Sequence, residues 1–375
     1  MITSLSIDNY RCFSGFTWTP DRLSLLLGEN GSGKTSVFDV LDALREIITK
    51  GEPTETAFPV ESLCKWRAES DGLQEFGLGV QGNDGEYQYT LKIEHELPRG
   101  IKNRIKSECL LFNHQKVFEF DGKDIHLFRD DGSAGPAFPF DWSRSGIATV
   151  PERHDNKRLT WFRNRMSMVQ IFSPDPPAMG ALVKKGAGHP DRSLQNLAAW
   201  LYAVQSADFQ VGSSVTSSLR ETIRGFSKHR FAKVGSTANE LFVDFEFRDE
   251  ETDKITNKFE LSFDALSEGQ RNLFALYSIL HAAVKEGATV CIDEPDNFVA
   301  LREIQPWLTA LQDAAEDNNC QVLIISHHPE LINHLAAHSG VLFERGSTGA
   351  TSCRRFEWSD KEHATPADLV ARGWE

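Results

Sequence analysis

Cysteine is scarce in this chain of 375 residues, and its spacing carries no motif. The six thiols, Cys12, Cys64, Cys109, Cys291, Cys320 and Cys353, are scattered and none belongs to a C-x-x-C pair. That excludes a zinc ribbon or a disulfide scaffold and fits a reducing cytoplasm. No apolar run approaches the ~18 residues that a membrane helix needs. Met1 leads into an alternating segment rather than a basic region and an apolar stretch, so no secretory leader is expected. Basic charge is also short. Forty Lys and Arg against 54 Asp and Glu give a formal net charge of −14, which argues against a surface coated in nucleic acid but leaves room for a local basic groove. There is no internal repeat, no low-complexity tract and no sustained heptad pattern, so neither a solenoid nor a long coiled coil is expected.

What is present is ordinary globular composition, 40% hydrophobic and 25% charged, in a chain long enough for two or three domains. Ser4 to Tyr10 alternates as a strand does. Leu23 to Leu27 is a short apolar run ending at Gly28. Ser36 to Ile48 then carries Val37, Val40, Leu41, Leu44, Ile47 and Ile48 at helical spacing. Between about 50 and 150, turn signals such as Gly82-Asn83-Asp84-Gly85 and Asp121-Gly122 separate alternating runs and predict antiparallel hairpins. From about 155 to 230 the spacing predicts helices, with Leu194, Leu197, Ala198, Leu201 and Tyr202 on one face and Leu219, Ile223 and Phe226 on another. Leu241 to Phe247 and Phe259 to Phe263 alternate as strands. Gln270 to Val284 reads as helix, Thr289 to Ile292 as buried strand, Ile304 to Ala315 as helix and Val322 to Ile325 as buried strand. This alternation predicts a parallel sheet covered by helices.

Chemistry concentrates at three places. The first is Gly28-Glu29-Asn30-Gly31-Ser32-Gly33-Lys34-Thr35, followed by Ser36, between a strand and a helix. Glycines there let backbone N–H groups wrap phosphates at a helix N-terminus, Lys34 reaches β- and γ-phosphates, and the Thr35 hydroxyl suits Mg²⁺. The expected ligands are therefore ATP and Mg²⁺. The second is Thr289 to Pro295, an apolar strand ending in paired carboxylates. Asp293 would hold the metal shell, and Glu294, pointing elsewhere, would orient or deprotonate the attacking water. The third is Leu266-Ser267-Glu268-Gly269-Gln270, which opens a helix and so offers a second anion site.

In that order the three elements resemble the ABC ATPase superfamily. The resemblance implies that Ser267, Gly269 and Gln270 of one subunit contact the nucleotide on the P-loop of another, in a head-to-tail dimer. It also implies a γ-phosphate-sensing histidine after the strand Gln321 to Ile325. His327 is the aligned residue, with His328 beside it. Leu5 to Phe13, Asn196 to Leu201 and Asp293-Glu294-Pro295-Asp296-Asn297 narrow the likeness to the RecF/SMC-like branch of bacterial ABC ATPases, which includes the overcoming-lysogenization-defect ATPases and many ATPases of phage-defence operons. The implied fold is α/β, a P-loop ABC-type head with an antiparallel β subdomain and a helical insertion. The expected division is a P-loop core over 1–50 and 260–375, a β-rich part over 51–150, and a helical or lid insertion with returning strands over 151–259.

Three departures from that branch stand out. There are no coiled-coil arms with a hook. No acidic cluster follows His327 that would form a nuclease domain, so an effector such as a nuclease is expected as a separate chain. Phe298-Val299-Ala300-Leu301-Arg302 replaces a Leu-His-Pro turn. The likeness also offers Arg11 as a nucleotide contact, against a plain surface arginine. Gln170 is offered as the glutamine coupling nucleotide and metal to the helical part, against a polar strand residue. Two basic clusters, Arg99, Lys102, Arg104 and Lys106, and Arg153, Lys157, Arg158, Arg163 and Arg165, make DNA a candidate ligand, the second because Trp161 and Phe162 suit base stacking. The function expected is a slow ATPase switch, an ATP-dependent homodimer or higher oligomer serving phage defence or DNA maintenance, with no membrane partner. The rival is a nucleotide-dependent scaffold with negligible hydrolysis that holds a partner protein.

Overall fold

The computed structural model describes residues 1–66, 72–96, 103–249, 251–358 and 364–372. Its centre is a six-stranded sheet in the order Val169–Phe172, Thr289–Asp293, Gln321–Ile325, Leu23–Leu27, Gly340–Arg345 and Thr351–Arg355. The first five run parallel, and only the last pair is antiparallel. These strands read as unbroken apolar runs because both faces are covered. Side chains alternate between two cores. Leu25, Leu27, Val290, Ile292, Val322 and Ile324 face one, and Leu26, Cys291, Leu323 and Ile325 face the other.

The helix Lys34–Lys50 packs on the second of these cores. It buries Val37, Phe38, Val40, Leu41, Leu44, Ile47 and Ile48, and ends at Gly51, whose φ of +65° suits a glycine stop. Seven such side chains contribute roughly 10–20 kcal/mol gross, before chain entropy, so packing rather than propensity fixes this helix and the loop that leads into it.

The same core meets an eight-stranded antiparallel sheet ordered Phe16–Trp18, Ile2–Asp8, Leu73–Gly82, Gly85–His95, Asn103–Phe112, Gln115–Phe120, Asp124–Phe128 and Ala134–Pro139. The hairpins expected between 51 and 150 are there. The first strand, grouped with the P-loop core by sequence, instead pairs with Leu73–Gly82 in this sheet. The edge strand Val169–Phe172, grouped with the helical insertion, instead joins the parallel sheet beside Thr289–Asp293. Strand partners are long-range, so chain position alone misassigned both.

The other core holds the helices Leu197–Ala207 and Phe209–Thr222, the long helix Glu268–Ala282 and a small antiparallel sheet. In that sheet Ala238–Arg248 pairs with Phe226–Val234 on one side and with Leu182–Val183 and Ile255–Ser262 on the other. Phe226 therefore opens a strand rather than continuing a helix from Leu219. It is buried as the periodicity requires, but Gly225, at φ +79°, breaks the run. No helix among the described residues is long and apolar enough to cross a membrane.

Candidate functional site

The loop from Gly28 to Thr35 leaves the strand Leu23–Leu27 and enters the helix Lys34–Lys50. Two of its glycines are sterically required. A Cβ on Gly28 would collide with the Phe343 carbonyl oxygen, and one on Gly33, at φ +102°, would come within 2.7 Å of Cys12 Sγ. A neighbouring strand and the turn after Ile2–Asp8 thus hold the loop tightly from behind, while a Cβ on Gly31 would meet nothing within 4 Å. Lys34 is buried, and its ammonium donates to the carbonyls of Gly28 (2.7 Å) and Glu29 (2.9 Å). Burial lowers its pKa, partly offset by Asp293 and Glu294. A desolvated ammonium held by two carbonyls of its own loop is poised to take phosphate oxygens.

Asp293 closes the strand Thr289–Asp293 near the Thr35 hydroxyl. Burial raises its pKa, with Thr35 opposing. A hydroxyl and a carboxylate brought near one another offer hard oxygens, the donor type that Mg²⁺ prefers. Glu294 follows at φ +52°, and its N–H donates to the Ile325 carbonyl at 2.8 Å. The left-handed turn swings its carboxylate away from Asp293, and the bond to Ile325 ties two strand ends together. Glu294 Oε2 accepts from Asn297 Nδ2 at 2.7 Å.

The histidine doublet separates by role. His328 caps the helix Pro329–Ser339, its Nδ1 accepting from the Glu330 N–H at 3.2 Å. His327 faces the cavity instead. Its pKa is lowered by burial first and then by the Lys34 charge, so the neutral imidazole is favoured. Next to it, burial raises the carboxyl of Asp296, with nearby Ser326 opposing.

Lys34, Thr35, Ser36, Glu294, His327 and Arg11 line one cavity of about 430 Å³, with Asn30, Gly31 and Gly33 at its floor. Arg11, at φ +47°, donates to Ser36 Oγ at 3.3 Å and ion-pairs with Asp39 on the P-loop helix. Glu29 lies on the far side of the loop, in a second cavity shared with Gly28, Asn30 and His327. Ser32 is buried, and its hydroxyl has no hydrogen-bond partner in the structure.

Gln170 is not brought to this cluster, which corrects its expected place at the metal. In register it lies beside Val290, three residues short of the Asp293 level, and Val290 faces the opposite core from Thr35 and Asp293. At the strand end the chain instead supplies Ser173, whose hydroxyl accepts from Arg192 Nε at 3.3 Å, and Arg192 reaches Asp39. Sequence reading missed Arg192, since nothing local marks it.

Ser267 caps the helix Glu268–Ala282 in a reciprocal box with Gln270: Ser267 Oγ accepts from the Gln270 N–H at 3.2 Å, and Gln270 Oε1 accepts from the Ser267 N–H at 3.1 Å. Gly269 packs so close to Phe298 that a Cβ would lie 2.6 Å from its carbonyl oxygen. One turn on, Asn272 donates to the carbonyls of Pro295 (3.0 Å) and Asn297 (2.6 Å). The start of this helix is thereby fixed to the loop after Glu294. Yet Ser267, Gly269 and Gln270 line a different cavity, with Arg224, Phe298 and Glu303, and not the one holding Lys34. Arg302 is exposed on the first turn of the helix Leu301–Asp317.

Several of the features offered for DNA contact are engaged within the chain. Phe162 is fully buried, and Trp161 stacks on Tyr87 at 5.0 Å inside the β-rich lobe. Arg163 donates to the Ile147 and Val150 carbonyls, Arg158 lies over the Phe112 ring, and Arg165 is buried. Arg104 and Lys106 both pair with Glu94, while Arg99 and Lys102 lie outside the described residues. Phe162 is thus core, and Trp161 is partly buried against it.

Residues 23–333 match the family model described as "AAA domain, putative AbiEii toxin, Type IV TA system". The chain belongs to this AAA family. No curated protein matches it in sequence. Among solved structures it is similar to an SmcHead bound to the C-winged helix domain of ScpA, at 12% identity and TM-score 0.54, covering 95% of this chain and 98% of that one. It is likewise similar to an Smc head domain with an extended coiled coil, derived from Pyrococcus furiosus and bound to the C-terminal domain of ScpA. There the identity is 10% and the TM-score 0.53, covering 95% and 96% of the two chains. The AAA protein described here therefore has the fold of an SMC-type head, in keeping with its resemblance to the RecF/SMC-like ABC-type ATPases.

Proposed function

We propose that this AAA protein binds ATP with Mg²⁺ at the cavity of Lys34 and hydrolyses it in a head-to-tail pair of identical chains. The supporting observation is the division of the site. Lys34, Thr35, Asp293, Glu294 and His327 gather at one end of the parallel sheet, while Ser267, Gly269 and Gln270 open a separate cavity of the same chain. A second copy is needed to bring that helix start to the phosphates.

Each residue has a defined task. Lys34 exchanges its loop carbonyls for β- and γ-phosphate oxygens. Thr35 and Asp293 would hold Mg²⁺, which supplies charge screening across the phosphates when bound. Glu294 orients a water and takes its proton. His327, kept neutral, donates or accepts a hydrogen bond at the γ-phosphate end. Ser267 of the second copy completes the cage with its helix N-terminus. Asn272 links that helix to the loop after Glu294 in the same chain, so each chain's base and its donated helix start move as one unit. Hydrolysis then acts as a switch on pairing, read out by a separate partner. A role in phage defence or DNA maintenance with an effector such as a nuclease rests on the family likeness alone.

The scaffold reading, with stable ATP binding and negligible turnover, is favoured by one observation: Asn297 occupies a carboxylate oxygen of Glu294. Equilibrium binding of labelled ATP to the wild type and to Lys34→Ala, together with turnover, tests both. The variant should bind on the order of 100-fold more weakly or worse. Undiminished affinity would put the nucleotide elsewhere, and tight binding without turnover in the wild type would select the scaffold.

A further inference from the structure

One wall of the Lys34 cavity has no assigned role. It is formed by Trp66, Arg345, Glu61, Leu63 and Lys65, beyond the phosphate-binding floor. Trp66 is 46% exposed, the most of any tryptophan among the described residues. Exposed indole surface costs free energy unless something covers it. The ring is nevertheless held in place. The Arg345 guanidinium sits 4.0 Å from its centroid, and Arg345 Nε donates to the Gly349 carbonyl at 3.1 Å, which closes the turn between the strands Gly340–Arg345 and Thr351–Arg355. Gly349, at φ +85°, presses on the same ring, where a Cβ would come within 3.2 Å of the indole. An aromatic plane immobilised by a cation and a glycine turn, yet half open to a cavity, has the form of a stacking platform.

We infer that Trp66, held by Arg345, is the wall on which the nucleotide base stacks. The inference rests on the ATP reading of the P-loop cavity and adds what that reading lacks, a basis for preferring a nucleotide over a bare phosphate chain. The cavity of about 430 Å³ lies within the usual range for small-ligand sites. The floor of Lys34 and Thr35 takes the phosphates at one end, and the Trp66 wall takes the base at the other. Glu61 and Lys65, on the same wall, offer an acceptor and a donor to the base edge. The platform and the phosphate floor belong to different segments, so binding a whole nucleotide bridges the segment around Trp66, the P-loop and the hairpin carrying Arg345.

The test is calorimetric titration of ATP and of inorganic tripolyphosphate, each with Mg²⁺, into the full chain and into Trp66→Ala, Trp66→Phe and Lys34→Ala. The wild type should bind ATP more tightly than tripolyphosphate. Trp66→Ala should weaken ATP about tenfold, as loss of one stacked base does, and leave tripolyphosphate unchanged, which also reports an intact fold. Trp66→Phe should restore most of the ATP affinity. A Trp66→Ala protein that keeps the wild-type ratio of the two affinities overturns the platform while leaving the P-loop reading standing. Equal binding of both ligands by Lys34→Ala and the wild type overturns the P-loop reading itself, and the platform with it.

Discussion

Arg192 Nη1 lies 2.6 Å from Asp39 Oδ1, while the second oxygen of Asp39 ion-pairs with Arg11. One carboxylate on the P-loop helix therefore ties together three parts of the chain: the turn after the first strand, the nucleotide-binding helix, and the segment that enters the helical lobe. Both guanidinium groups are partly exposed, so each bond is screened, but the shared geometry makes the three parts move together.

The first prediction concerns that node. Asp39→Ala should destabilise the protein by about 1–3 kcal/mol, the cost of two charge-assisted bonds discounted for exposure. Urea unfolding midpoints in the absence of nucleotide measure it. Arg192→Ala should retain ATP binding and lose part of the ATP-dependent pairing, visible by light scattering. Full pairing in that variant would remove the node from coupling.

Glu294→Gln should bind ATP as the wild type does and turn it over about 10²–10⁴-fold more slowly, since the amide keeps the shape but cannot accept the water's proton. The same variant should accumulate an ATP-dependent species of doubled mass. Turnover at the wild-type rate would take Glu294 out of the base role.

The β-rich lobe carries a buried acid that sets a pH dependence of stability. Glu108 accepts from Tyr89 Oη (2.9 Å), Ser145 Oγ (2.6 Å) and the Gly146 N–H (3.2 Å), yet burial still pushes its pKa up to about 7. The folded state thus holds the proton more tightly than the unfolded state, where the value is about 4.5. Between these two values the native chain binds more protons, so stability falls as pH rises from about 4.5 through about 7 and then levels off. The loss is on the order of 3 kcal/mol. Glu108→Gln should flatten that window and be the more stable protein at pH 8. A wild-type stability that rises with pH across the window, with no difference in the variant, would contradict the assignment.

The parts of this fold legible in the sequence are those written in short-range chemistry. Gly28 to Thr35 needs only its own glycines and one helix start, and Asp293-Glu294 needs only a strand end, so each could be placed before any partner was known. Ser267 could likewise be read as a cap, because its box with Gln270 spans three residues. Gln170 could not be placed, because its side of the sheet depends on its register against Val290, more than a hundred residues away. Trp161 and Phe162 looked available for stacking only because Tyr87, which Trp161 stacks on, is distant in sequence. The histidine doublet could not be split until the Glu330 N–H chose His328. Trp66 and Arg192 gave no local signal, being single residues in irregular segments that tertiary contacts alone bring to the site.

The most direct test of the composite site uses two variants that are each expected to be inactive. Ser267→Arg should leave ATP binding by the single chain nearly intact, at the cost of a lost helix cap worth about 1 kcal/mol, and place a bulky cation where the partner's γ-phosphate docks. Lys34→Ala should fail to bind ATP. In a mixed pair both lesions can fall on one composite site, leaving the other with an intact P-loop and an intact opposing Ser267. Steady-state ATP turnover should therefore be absent in each variant alone and return in the mixture, below the wild-type rate if the two sites act together. Wild-type turnover by Ser267→Arg alone, as a single chain, would contradict the head-to-tail arrangement and reduce Leu266 to Gln270 to a helix cap.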